Sequence, residues 1–196
     1  MGAGSCRMND LVVIQSTQGV CCYLEQVFGP EGRKRGICIG FDHRSGHGCN
    51  SESMALYAAA VSLHAGFQVY FYTSVTATPF VPWCIEQKGC VAGIMITASH
   101  NPAADNGYKL YWENGAQIIP PHDTCIADLI LANLEPWAAY DTTQLSNNPA
   151  LSLLSPGSQV ELDYFSALED LCLHKATNME LEKAYPITYT AMHGVG

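Results

Sequence analysis

The sequence predicts an α/β fold, a three-layer α/β/α sandwich around a mixed, mostly parallel sheet. Three observations carry that expectation. The short, apolar, β-branched run at 91–97 suits a strand buried on both faces, 37–41 reads as a first buried strand and 67–72 as a second strand. Helix-like stretches separate them, and a β-α-β-α-β order with right-handed crossovers puts helices on both sides of a parallel sheet. With 196 residues, 48% of them hydrophobic, the chain can bury one such core.

In chain order, Asn9 or Asp10 can cap a first helix reaching about Phe28, where Gly29-Pro30 ends it. Arg33-Lys34-Arg35 reads as a solvated turn before the first strand, Ile37 to Phe41. Ser51 or Ser53 can cap a second helix that runs to His64 and closes at Gly66, a usual left-handed stop. Glu52 to Glu86 has no charged residue between its ends, and Met54 to Tyr72 has the length of a membrane span. Gly66 and Gln68 interrupt it, and the pattern changes there from helical to strand-like. A buried helix followed by a strand, Phe67 to Tyr72, is therefore expected. Thr78-Pro79 opens a third helix that ends at Gly89, ahead of the strand Val91 to Thr97. Tyr108 to Trp112 should pair with Ala116 to Ile119 across Asn114-Gly115, adding antiparallel strands. Asp123 can cap a helix through about Asn133, ended by Glu135-Pro136-Trp137. The stretch from Trp137 to Gly157, rich in Ser, Asn and Pro, reads as a long surface loop. Glu161 to His174 is again helix-like and Pro186 to Thr190 strand-like. No internal repeat is apparent.

A formal charge of −9, with no basic cluster longer than Arg33-Lys34-Arg35, argues against a nucleic-acid groove. Nine cysteines, an odd number without a C-x-x-C pair and partly in apolar runs, read as reduced thiols in a cytoplasmic protein. His43, His47 and Cys49 could suggest a metal clip, but no fourth ligand lies nearby and the segment reads as a Gly-rich connection. The N-terminus lacks a basic start followed by an apolar run, so no secretory signal is visible. Gly2 invites myristoylation, which Cys6 in place of Ser or Thr argues against.

The chain is organised around Gly93 to Tyr111. A buried strand stops at Ala98-Ser99-His100-Asn101-Pro102, because Pro102 cannot donate to a ladder and disfavours helix at Asn101. Ligands bind at the carboxyl ends of strands in an open α/β sheet. Asp105-Asn106-Gly107 then bends the chain, and the next strand returns Lys109 close to Ser99. A serine, an imidazole and an ammonium suit a phosphate site. Asp42 and Arg44 follow the first strand at the same edge and read first as a local ion pair that shapes its loop.

Thr97 to Pro102 (TASHNP) with Asp105 to Lys109 (DNGYK) resembles the phosphoserine loop of the α-D-phosphohexomutase superfamily. Thr78 to Pro82 (TPFVP) and Tyr111 to Asp123 (YWENGAQIIPPHD) resemble its phosphopentomutase and glucose-1,6-bisphosphate synthase branch, and the likeness runs from about Arg7 to Gly196. The resemblance implies the fold of phosphohexomutase domain I. It also implies a phosphoglucomutase-type intramolecular phosphotransferase of carbohydrate metabolism, interconverting sugar 1-phosphates with 6- or 5-phosphates. Ser99 would be the phosphoserine, giving its phosphoryl group to a sugar phosphate and taking the other one back from a bisphosphate intermediate. Lys109 and His100 would join it as catalytic residues. Arg44, in the G-x-D-x-R motif kept as Gly40 to Arg44, and Asn101 would contact substrate, with Asn101 also bracing the turn.

Magnesium is the cofactor implied, with a sugar bisphosphate as activator. The superfamily supplies the metal with a D-x-D-x-D loop in its second domain. No such spacing occurs here, so only the phosphoryl oxygens on Ser99 could contribute from this chain. Residues 1–185 would form domain I, and 186–196, ending in His193-Gly194-Val195-Gly196, would open a second domain. The superfamily's G-T-x-G-x-R loop would precede Met1, and Arg7 is no substitute for its arginine. The implied partners are sugar phosphates and the remaining C-terminal domains, with no nucleic acid and no membrane. Without those parts, little mutase turnover is expected. Two other readings remain. One is a short paralogue that binds sugar phosphates or a mutase without catalysis. The other, ranked last because a G-x-S-x-G elbow is absent, is an esterase using Ser99 and His100.

Overall fold

The computed structural model describes residues 1–191. Helix α1 (Asp10–Arg35) starts where Asn9 accepts a hydrogen bond from Val12 N at 3.0 Å, which makes Asn9 the cap. It does not end at Phe28. Gly29 (φ 56°, ψ −146°) breaks the helix, and Pro30 opens a second helical run, since a fixed φ and a missing N–H both suit a first helical position. Arg33-Lys34-Arg35 therefore lies in the last helical turn, where cations complement the dipole. Arg33 pairs with Glu25 and Arg35 with Glu113. Gly36 (φ 80°) then passes so close to the next connection that a Cβ there would sit 2.3 Å from the Gln68 carbonyl oxygen.

Strand β1 (Ile37–Phe41) is buried throughout, as its composition requires. A two-residue hairpin, β2 (Ser45–Gly46) and β3 (Cys49–Asn50), turns through His47 (φ 52°) and Gly48 (φ 77°), the geometry that matches strand twist. Helix α2 (Ser51–His64) is capped by Asn50 and by neither Ser51 nor Ser53, the residues expected in that role. Gly66 (φ 86°) closes it. Next come β4 (Val69–Tyr72), α3 (Phe80–Lys88) with Gly89 in the left-handed conformation, and β5 (Ala92–Ile96). Strand β6 (Tyr108–Trp112) pairs antiparallel with β5, Met95 facing Lys109. The hairpin expected beyond it shrinks to a bridge between Tyr111 and Gln117. Helix α4 (His122–Ala132) follows Pro121, with Asp123 inside its first turn rather than at the cap.

Three differences lie in the last third. The surface loop expected over 137–157 contains β7 (Leu151–Leu154), which adds to β4 in parallel as an edge strand. The helix expected over 161–174 forms as α5 (Gln159–Asp170), and a further, unexpected helix, α6 (Lys175–Ala184), follows it. The strand expected at Pro186 to Thr190 does not form, because that exposed stretch finds no partner strand. Of the domain opening expected at 186–196, residues 192–196 lie outside the described residues.

The sheet order is β6-β5-β1-β4-β7, with only β6 antiparallel. Ile37, Ile39, Val69, Phe71, Ile94 and Ile96 face α1, α2 and α4 on one side. Cys38, Tyr72, Met95 and Tyr111 face α3 on the other, where Trp83 and Phe80 meet Tyr164 of α5. These are the three layers expected. Each fully buried Ile or Phe contributes roughly 1.5–3 kcal/mol, so the site rests on the most stable part of the molecule. All nine cysteines are free thiols. Among the described residues no helix is long and apolar enough to cross a membrane.

Candidate active site

β1 sits in the middle of the sheet, and the chain leaves it through α2 to β4 on one side, then returns over α3 to β5 on the other. The carboxyl ends of β1 and β5 therefore flank the crevice at the point where strand order reverses, the usual ligand position in such sheets. Asp42 to Arg44 follow β1 and Thr97 to Asn101 follow β5, so topology alone brings the two segments together.

Ser99 is half-buried and holds φ 51°, a left-handed conformation that costs a serine about 1–2 kcal/mol. Its surroundings hold it there. The Ser99 N–H donates to Thr97 Oγ1 at 3.0 Å, and the Ser99 carbonyl accepts from Arg44 Nη2 at 2.8 Å. Lys109, carried back by antiparallel β6, donates from Nζ to Ser99 Oγ at 2.5 Å. The serine and the ammonium expected together are in direct contact.

Asp42 and Arg44 form the local ion pair read from the sequence, at 3.0 Å, and the structure buries it, with side chains 0% and 1% exposed. The Asp42 carboxylate accepts from the Ser51 and Thr97 hydroxyls at 2.5 and 2.7 Å, and from Arg44 N and Nε. The remaining four guanidinium N–H groups donate to the carbonyls of Ser99, Asn101, Pro102 and Asp105. Arg44 thus has no donor left for a substrate, so the substrate contact implied for it is not available in this geometry. Asn101 is exposed. Its N–H donates to the Ala98 carbonyl and its side chain reaches Asp105 at 3.4 Å, which is the bracing role. His100 is also exposed, and its ring makes no hydrogen bond or ring contact among the described residues.

Three residues that sequence reasoning did not single out complete the site. Thr97 couples Ser99 to Asp42, Ser51 holds the other carboxylate oxygen, and Asn106 donates to Ser51 Oγ at 2.8 Å while accepting from Gly107 N. Their signal was only positional: hydroxyls and an amide beside a strand end and a glycine. Beyond the loop, an open cleft of about 400 Å³ is lined by Arg7, His47, Asn101, Asp105 and Asn106. His43, His47 and Cys49 do not converge, and among the described residues no group of three His, Cys, Asp or Glu could hold a metal. The carboxylate closest in the hydrogen-bond network to Ser99, that of Asp42, is fully engaged, so the residues present do not by themselves make a magnesium site.

The sequence profile of the phosphoglucomutase/phosphomannomutase α/β/α domain I matches residues 1–136. The chain belongs to that family. Over 199 residues it is 45% identical to human phosphopentomutase, covering all of this chain and 32% of that protein. Against human glucose 1,6-bisphosphate synthase it is 40% identical over 204 residues, covering all of this chain and 31% of that protein. The chain thus spans about a third of the length of these relatives. The open-form crystal structure of the Paramecium exocytosis-sensitive phosphoprotein pp63/parafusin, a phosphoglucomutase, superposes with a TM-score of 0.59 over 83% of this chain and 32% of that one. At 14% identity that likeness concerns the fold alone.

Proposed function

We propose that this chain is the serine-bearing domain of a phosphosugar mutase, with Ser99 as the phosphoryl carrier. One observation carries the reading: Lys109 Nζ donates directly to Ser99 Oγ on a loop fixed at the sheet's switch point. When a phosphoryl group leaves Ser99 for a sugar hydroxyl, a sugar O–P bond forms as the Oγ–P bond breaks, negative charge gathers on Oγ, and the proton lost by the hydroxyl balances the one that Oγ takes up. An ammonium already in place there stabilises that charge without reorganisation. At an effective dielectric of ~20, a unit charge pair near 4 Å is worth about 4 kcal/mol. Asp42 and Arg44 cancel each other, so Lys109 brings the net positive charge to the serine.

The substrate class is a sugar monophosphate or bisphosphate, on the strength of what the relatives are called. Exposure of His100 beside the serine supports reading it as a group that meets the incoming substrate rather than one that holds the loop. Magnesium would rest on phosphoryl oxygens at Ser99 and on ligands outside the residues described. Nine free thiols fit a reducing, cytoplasmic setting. The test is to isolate the native protein from its cells and map the Ser99 peptide. Phosphate on Ser99, lost on adding a sugar monophosphate, supports the proposal. Ser99 found wholly unmodified, with no phosphate accepted from a sugar bisphosphate, overturns it.

A further inference from the structure

All five N–H donors of Arg44 end on the protein, and four of the acceptors are carbonyls of one loop, those of Ser99, Asn101, Pro102 and Asp105. In a trans peptide unit the carbonyl of one residue and the N–H of the next point in opposite directions. Among the described residues only Pro120-Pro121 is cis. Drawing these carbonyls inward onto the guanidinium therefore turns the N–H groups of His100, Ala103 and Asn106 outward, Pro102 having none to turn. The hydrogen-bond pattern agrees. Ser99, Asn101, Asp105 and Gly107 each donate their N–H to a protein acceptor, whereas among the described residues His100, Ala103 and Asn106 do not, and neither does Ala104 between them.

We infer that Arg44 is a positioning residue that turns this loop into a backbone cradle for an anion, with the His100 N–H donating to a phosphoryl oxygen carried on Ser99. This rests on the reading that Ser99 carries phosphate. Outward N–H groups next to a left-handed residue form the concavity that binds anions in other loops. The charge of Arg44 is cancelled by Asp42 at 3.0 Å, so what it gives the serine is the direction of the peptide dipoles. Lys109 gives the charge. This division explains why an arginine beside a phosphate-carrying serine points away from the phosphate: its planar fork spans one carboxylate and four carbonyls, which an ammonium cannot do.

The experiment installs phosphoserine at position 99 of the full chain by genetic code expansion, so it does not depend on any transfer reaction. Amide resonances and the phosphorus resonance are then followed through the second phosphate ionisation, near pH ~6. The other titratable or charged groups on the elements around Ser99 are Tyr108, Lys109 and Tyr111 on β6, Asp42, His43 and Arg44 after β1, and His100 and Asp105 in the loop. Because an imidazole titrates in the same range, the run is repeated on His100→Gln, which keeps the backbone N–H. The expected result is a His100 amide that moves downfield as the phosphate becomes dianionic, in both proteins, and that loses this shift in Arg44→Lys. A position-100 amide indifferent to phosphate ionisation in the unsubstituted and His100→Gln phosphoproteins overturns the inference. So does an unchanged shift in Arg44→Lys. The first outcome needs no change at Arg44, so the test stands even where that variant does not fold. Failure of Ser99 to be phosphorylated in cells would instead remove the functional reading, and is read from a different sample.

Discussion

Replacing Asp42 by Asn removes one charge and almost no volume, and its effect can be worked from the structure. The carboxylate accepts four hydrogen bonds and faces Arg44 where neither side chain is more than 1% exposed. An amide in its place leaves the guanidinium uncompensated and sets a donor against one of the existing donors. Breaking a buried pair by removing one partner costs about 3–5 kcal/mol. Out of a total of roughly 5–15 kcal/mol that is a large fraction, and it corresponds to a Tm lower by about 6–20 °C for a chain of this size. Urea unfolding followed by circular dichroism measures it, with an unchanged m-value showing that stability and not compactness has moved. The double variant Asp42→Asn/Arg44→Met should cost less than the sum of the singles, since it removes the orphaned charge as well. A loss below about 1 kcal/mol for Asp42→Asn, the level of a solvent-exposed pair, would refute the account of the site as a buried, fully engaged network.

Lys109→Met should slow phosphoryl transfer at Ser99 by about 10²–10³-fold, the usual cost of one preorganised donor, while the circular dichroism spectrum is unchanged; single-turnover loss of phosphate from Ser99 measures it. Iodoacetamide pulses read by mass spectrometry should modify exposed Cys6 and Cys172 first. Buried Cys21, whose thiol burial pushes up to about 12, should react only on unfolding, together with Cys38, Cys84 and Cys90. Burial raises the Tyr108 hydroxyl well above its ordinary value, against the smaller opposing pull of the Thr17 hydrogen bond. Its contribution to stability is therefore complete below pH ~10 and is lost as the pH climbs from there towards the raised native value. Urea midpoints measured from pH 8 upward should decline beyond that point, and less steeply in Tyr108→Phe.

The sheet's central strands were legible because β1, β4 and β5 are apolar on both faces, which leaves few alternatives for runs of that length. The switch-point loop was legible for the same reason, since Pro102 forces an end to β5 at a known edge. What escaped was decided by partners far away. Leu151 to Leu154 is too short to declare itself inside a Ser, Asn and Pro-rich segment and becomes β7 only because β4 offers an open edge. Pro186 to Thr190 has strand-like composition but no such edge, and stays irregular. Gly29-Pro30 looked like a stop because both residues break helices, yet the same proline starts the next helical run. At the site, Asp42 and Arg44 sit two residues apart, so their pairing could be read locally. The four carbonyls on Arg44 come from residues 55 to 61 positions later, and nothing in a two-residue spacing announces them.

The way Arg44 grips the serine loop also sets a limit on how this surface can adapt. A loop tied at four carbonyls to a buried cation cannot relax by small steps, because any shift large enough to matter would strip several bonds from one guanidinium at once. The serine is thus offered in one pose to every molecule that approaches. A ligand that must present first one end and then the other has to do the turning itself, against a stationary abutment. Changes of ligand preference over evolutionary time would then accumulate on surfaces facing the loop and leave Thr97 to Asn106 as it is.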